Sequence, residues 1–159
     1  SGDKLVGGPQ AGLILGKKEW VERVARHPLA RAMRADKLLL AALEATVGGP
    51  TPPVLEALHT DSDALKARTE KLARTIEERA NEPCEVVPHE GRVGGGGGAE
   101  VPIPGWALSV PERLATELRS LERPIVATTH DGACLVDLRC IPESEDDSLA
   151  SAIAALLTR

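Results

Sequence analysis

Lys4 stands in the run Ser1-Gly2-Asp3-Lys4-Leu5-Val6-Gly7-Gly8-Pro9-Gln10-Ala11-Gly12. A lysine becomes a Schiff-base nucleophile when its amine is partly desolvated and positioned, and glycines beside it let a bulky cofactor approach the backbone. On this motif alone the commoner reading is a solvated surface charge. Asp3 reads on its own as a turn former. Arg31 and Arg34 lie three apart, so on a helical turn they would project from one side, and guanidinium forks match oxyanions. The plainer alternative is two solvated arginines on an amphipathic helix. His27, His59, His89 and His130 are scattered singly. Cys84, Cys134 and Cys140 are odd in number and lack CxxC spacing, which points to free thiols rather than a disulfide framework or a zinc site. The glycines from Gly94 to Gly98 lack the Gly-Lys-Ser/Thr of a P-loop and read as a flexible loop.

The elements that would position these residues follow from periodicity and punctuation. Residues 11–16 are a short apolar run bounded by glycines, as expected of a strand buried on both faces, which puts Lys4 on the loop before it. Residues 17–25 and 35–47 read as helices, broken between by His27-Pro28. Gly48-Gly49-Pro50-Thr51-Pro52-Pro53 cannot continue a helix and mark the expected boundary between residues 1–48 and 54–159. Beyond it, Asp61 or Ser62 caps a helix running to about Asn81, with Leu65, Leu72 and Ile76 on one face. Strands are expected at 85–88 and 106–110. Ser109 to Glu112 reads as a capping box for a helix to Ser120. Residues 125–129 and 134–140 form a hairpin through Asp131-Gly132, the strongest short-range signal in the chain. Acidic residues from Ser144 to Ser148 then suit the start of a last helix. The second part therefore reads as a small α+β domain.

The chain has 159 residues, 42% of them hydrophobic, with no Phe or Tyr and only Trp20 and Trp106 as aromatics, so its core is built from aliphatic side chains of modest area. No apolar run is read as reaching the roughly 20 residues that span a bilayer, and the first residues read as neither a basic region nor an apolar h-region. The expectation is a cytoplasmic protein without membrane or metal partners. A net charge of −5 argues against a global phosphate-gripping surface, so any RNA contact would be local. The missing initiator Met suggests a C-terminal portion of something longer, with a cloning scar at Ser1-Gly2 as the alternative.

The run from Ser1 to Gly12, with the apolar segment and Gly16-Lys17-Lys18 after it, resembles the cofactor-lysine segment of bacterial selenocysteine synthases, the L-seryl-tRNA(Sec) selenium transferases. The likeness continues through His27-Pro28-Leu29-Ala30-Arg31-Ala32-Met33-Arg34-Ala35-Asp36-Lys37. It resumes more loosely at Pro104-Gly105-Trp106-Ala107, Pro124-Ile125-Val126, His130-Asp131-Gly132 and Leu135-Val136-Asp137-Leu138-Arg139. The resemblance implies an α/β architecture: the end of a fold-type-I, aspartate-aminotransferase-like large domain, followed by the small domain.

It implies pyridoxal 5'-phosphate as cofactor, held covalently by Lys4, with Asp3 as the adjacent acidic residue that orients the lysine or a reacting water. It further implies that Arg31 and Arg34 line the site of the selenium donor, selenophosphate, and that seryl-tRNA(Sec) is converted to selenocysteinyl-tRNA(Sec) by a homo-oligomer. The ring-stacking, phosphate-holding and tRNA-binding parts belong to the preceding portion in that family, so this stretch alone is expected to be inactive. Arg139 reads by default as an exposed strand-end residue, with an active-site-facing role as the alternative in such folds. Two other readings are an ammonia lyase or eliminase of aminosugar phosphates using the same cofactor, and a non-catalytic folding or dimerisation module.

Overall fold

Capping side chains set several element boundaries in the computed structural model, which describes residues 1–94, 98 and 100–159. The described residues divide into two compact units, Ser1–Leu58 and His59–Arg159. In the first, helix α1 (Lys18–Arg26) ends at His27, which is extended because Pro28 follows it. Pro28 opens α2 (Pro28–Ala32), where His27 Nδ1 accepts from the Leu29 amide at 3.2 Å. The Asp36 carboxylate accepts from the amides of Leu38 and Leu39, both at 2.8 Å, and so starts α3 (Lys37–Gly48). Gly49 is the C-cap of that helix, at a position where a Cβ would collide with the Ala45 carbonyl, and α4 (Pro53–His59) follows.

One expectation about this unit fails. Residues 11–16 form no strand, and Leu15 is 91% exposed. An apolar run becomes a buried strand only where neighbouring strands and covering helices exist, and every strand among the described residues lies between Glu85 and Asp137. By length and composition alone the 23 residues Lys37–His59 could cross a bilayer. They are interrupted after Gly48 and resume at Pro53, so neither α3 nor α4 approaches the roughly 20 residues a span requires. None of α1 to α4 buries a residue.

The second unit holds the hydrophobic core. Helix α5 (Ser62–Ala80) starts where Asp61 accepts from the Ala64 amide at 2.8 Å and ends at Asn81 in the left-handed region. Its buried side, Leu65, Leu72 and Ile76 included, packs on strand β2 and the last helix. The strands β1 (Glu85–Gly91), β2 (Ile103–Pro111), β3 (Thr128–His130) and β4 (Ala133–Asp137) form one antiparallel sheet in the order β1-β2-β4-β3. Helix α6 (Leu114–Arg119) buries Leu114 and Leu118, and α7 (Asp146–Leu157) buries Leu149, Ile153 and Leu156. The architecture is thus mixed helix and sheet.

The hairpin turns as the Asp-Gly pair requires: Asp131 has φ 49° and Gly132 φ 78°, both left-handed. Its arms are shorter than predicted, since Leu138–Cys140 is a 3-10 turn rather than strand. The predicted capping box does not form. Ser109 lies inside β2, opposite Glu85 and Leu135, so the sheet ladder holds its backbone and α6 begins at Leu114 without a side-chain cap. Of the glycine loop, Gly95, Gly96 and Gly97 lie outside the described residues.

Candidate active-site turn

Residues 2–6 form a turn stitched at three points. The Gly2 amide donates to the Ala11 carbonyl at 2.8 Å, the Gly7 amide to the Lys4 carbonyl at 2.9 Å, and the Gly8 amide to the Gly2 carbonyl at 2.7 Å. Gly7 takes φ +73°, a left-handed conformation that explains why the motif carries glycine there. The Lys4 side chain is 48% exposed, and its Nζ donates to Asp3 Oδ2 at 2.8 Å. Ser1 Oγ donates to the other Asp3 oxygen. These two bonds, the one from Lys4 first, hold the Asp3 carboxyl down at about 2 from an ordinary value of 3.8. The turn thus presents a reachable primary amine beside a fixed carboxylate.

Asp3 and Lys4 are therefore brought together. Arg31 lies in the last turn of α2 and Arg34 in the link to α3. Helix α2 stops before Arg34, so the two arginines do not share a helical face. Both are exposed, and no hydrogen bond or ion pair among the described residues engages either or joins them to Asp3 or Lys4. They are open to an anionic ligand.

The remaining candidates have structural surroundings. His27 caps α2, and His130 sits exposed beside the hairpin turn, 3.4 Å from Asp131. Cys84 is half-buried, Cys134 buried and Cys140 exposed, all as free thiols; burial, foremost, pushes the Cys84 and Cys134 thiols up. Among the described residues no three His, Cys, Asp or Glu side chains gather as a metal site. A cavity of about 430 Å³ between the loop from Leu121 to Val126 and the start of α7 has Cys140 in its wall, but none of Asp3, Lys4, Arg31 or Arg34.

Arg139 departs from its default reading. Its side chain is 6% exposed, with Nη2 donating to the Pro104 carbonyl at 2.7 Å. It lies against Gly91 and Gly105, where any Cβ would crowd its guanidinium. The signal was in the sequence only as two glycines on strands whose pairing was not yet known.

The family model described as L-seryl-tRNA selenium transferase matches residues 1–142 of the chain. Among curated proteins, the L-seryl-tRNA(Sec) selenium transferase of Moorella thermoacetica is 36% identical over 173 aligned residues, covering 99% of this chain and 37% of the relative. The protein of the same name from Desulfotalea psychrophila is 37% identical, covering 95% and 36%. That from Aquifex aeolicus is 31% identical, covering 99% and 38%. The chain thus spans little more than a third of the length of these relatives.

Proposed function

The chain belongs to the L-seryl-tRNA selenium transferase family, and from that footing we propose that it carries the cofactor lysine and small domain of an enzyme converting seryl-tRNA(Sec) to selenocysteinyl-tRNA(Sec). The observation that carries this reading is the exposed Lys4 amine on its glycine-braced turn, 2.8 Å from the Asp3 carboxylate. We take the first unit as the end of a fold-type-I large domain, and the enzyme as a cytoplasmic homo-oligomer.

The residues present fit pyridoxal 5'-phosphate in one respect, its covalent anchorage: a reachable primary amine with side-chain-free positions at Gly2, Gly7 and Gly8. When bound, the cofactor supplies a sink for the electron pair left on the seryl α-carbon as its proton departs. Lys4 would hold the cofactor and, when free, accept that proton. Asp3 would keep the amine aimed while Lys4 carries a proton. Arg31 and Arg34, exposed and without ion pairs among the described residues, would hold the selenophosphate oxygens by charge-assisted hydrogen bonds while selenium takes the place of the seryl β-hydroxyl, which leaves as water, and the selenium–phosphorus bond is broken by water to release orthophosphate. The groups that grip the ring and phosphate are proposed to come from residues other than these, so the stretch alone should trap cofactor without turning over.

Incubation of the chain with excess pyridoxal phosphate, borohydride reduction and peptide mapping tests the assignment. The reduced label is expected on Lys4 and should vanish in Lys4→Ala. Equal labelling of the two proteins would remove the basis for the proposal.

A further inference from the structure

The stretch from Gly48 to Pro53, which the sequence marks as a boundary, does something more specific inside the first unit. The Lys4 turn leans on it. A Cβ at Gly7 would lie 2.7 Å from Pro52 Cβ and 3.0 Å from Val54 Cγ1, and a Cβ at Gly8 would lie 3.0 Å from Thr46 Oγ1 and 3.1 Å from Thr46 Cγ2. Thr46 cannot rotate away freely, because its hydroxyl donates to the Ala42 carbonyl at 2.8 Å. Pro52 is equally constrained: its ring fixes φ and its carbonyl accepts from the Leu55 amide at 2.9 Å at the start of α4.

Both contacts fall on the two glycines whose amides shape the turn. Gly7 donates to the carbonyl of Lys4 itself, and Gly8 to the carbonyl of Gly2. The α3–α4 kink therefore bears on Lys4 by two short routes, from Pro52 and Val54 through Gly7, and from Thr46 through Gly8. We propose that this kink is the positioning element of the lysine turn, with Thr46, Pro52 and Val54 as positioning residues that fix where the Lys4 amine is presented. The inference rests on Lys4 being the reactive lysine, but it concerns how the turn is held and so can fail separately.

Gly8 is the informative site. Its φ lies outside the left-handed region, so an alanine there meets Thr46 without added backbone strain. The experiment is competitive acylation of the 159-residue chain with acetic anhydride across a pH series, read by mass spectrometry at Lys4 with Lys17 and Lys18 as internal references. Gly8→Ala is expected to change the Lys4 rate at least about threefold and to displace its pH profile, the size of coupling usual for residues in contact. Thr46→Ala placed on top of Gly8→Ala, which removes Oγ1 and Cγ2, should return the rate to within about twofold of the parent. Thr46→Ser, which keeps the bond to Ala42, should leave Lys4 unchanged. A Lys4 rate indifferent to Gly8→Ala, or a change that Thr46→Ala does not reverse, overturns the proposal. Pyridoxal phosphate trapping on the same proteins keeps the two readings apart: a label that misses Lys4 defeats the cofactor assignment, whereas a label on Lys4 with acylation rates insensitive to these variants defeats only the positioning role.

Discussion

Arg68 and Asp146, 78 residues apart, meet in a two-pronged pair: Nε donates to Oδ2 at 3.0 Å and Nη2 to Oδ1 at 2.6 Å. The same guanidinium donates to the carbonyls of Leu138 and Ile141 at 3.1 and 2.8 Å. One side chain on α5 thereby gathers the 3-10 turn after β4 and the first residue of α7. Both partners are largely withdrawn from solvent, so the pair is poorly screened, and loss of one member strands the other.

Arg68→Ala should accordingly destabilise the second unit by about 2–3 kcal/mol, below the full cost of breaking a wholly buried pair. Arg68→Lys should recover only part of this, because an ammonium cannot reproduce the fork. Urea unfolding monitored at Trp106 would measure both; a shift of the Arg68→Ala midpoint no larger than that of an exposed control such as Arg92→Ala would contradict the assignment.

The Asp3 carboxyl sets a pH window. Its value is lowered from 3.8 to about 2 in the folded turn, so the Asp3–Lys4 pairing is at full strength above about 3.8, weakens as pH falls toward 2, and is absent below that. A carbon-detected NMR titration of Asp3 should show the depressed midpoint, and Lys4→Ala should move it back toward 3.8. A midpoint already near the ordinary value in the parent chain would mean the pair does not form.

At the hairpin, Gly132 offers a cleaner test of backbone strain than most glycines. It has φ +78° and nothing within 4 Å of where a Cβ would stand, so substitution brings conformational cost without a clash. Gly132→Ala should lower stability by about 1 kcal/mol, while Asp131→Asn should be close to neutral because Asn suits the same left-handed position. Thermal unfolding of the two variants side by side distinguishes this from a generic loop effect.

What could be read in advance was mostly local. Asp61, the spacing of Leu65, Leu72 and Ile76, and Asn81 delimit α5 because cap, apolar face and left-handed terminus all lie within the helix's own sequence. Asp131-Gly132 fixed the hairpin for the same reason. Residues 11–16 misled because apolar content reports burial only if partners exist, and no local signal encodes them. Ser109 to Glu112 misled because sheet pairing with Glu85 and Leu135 overrode a capping preference. At the site, the pairing of Lys4 with its chain neighbour Asp3 was legible. The seat formed by Thr46, Pro52 and Val54 was not, since it depends on a close approach between segments distant in sequence.

The exposed run Leu13-Ile14-Leu15 has a practical corollary for anyone producing this polypeptide. Three branched aliphatic residues outside any helix or strand and open to water are the kind of segment from which intermolecular cross-β stacking nucleates. The two lysines that follow, Lys17 and Lys18, are placed as gatekeepers whose mutual repulsion opposes such stacking. Replacing both lysines by neutral residues should therefore remove that local opposition to stacking.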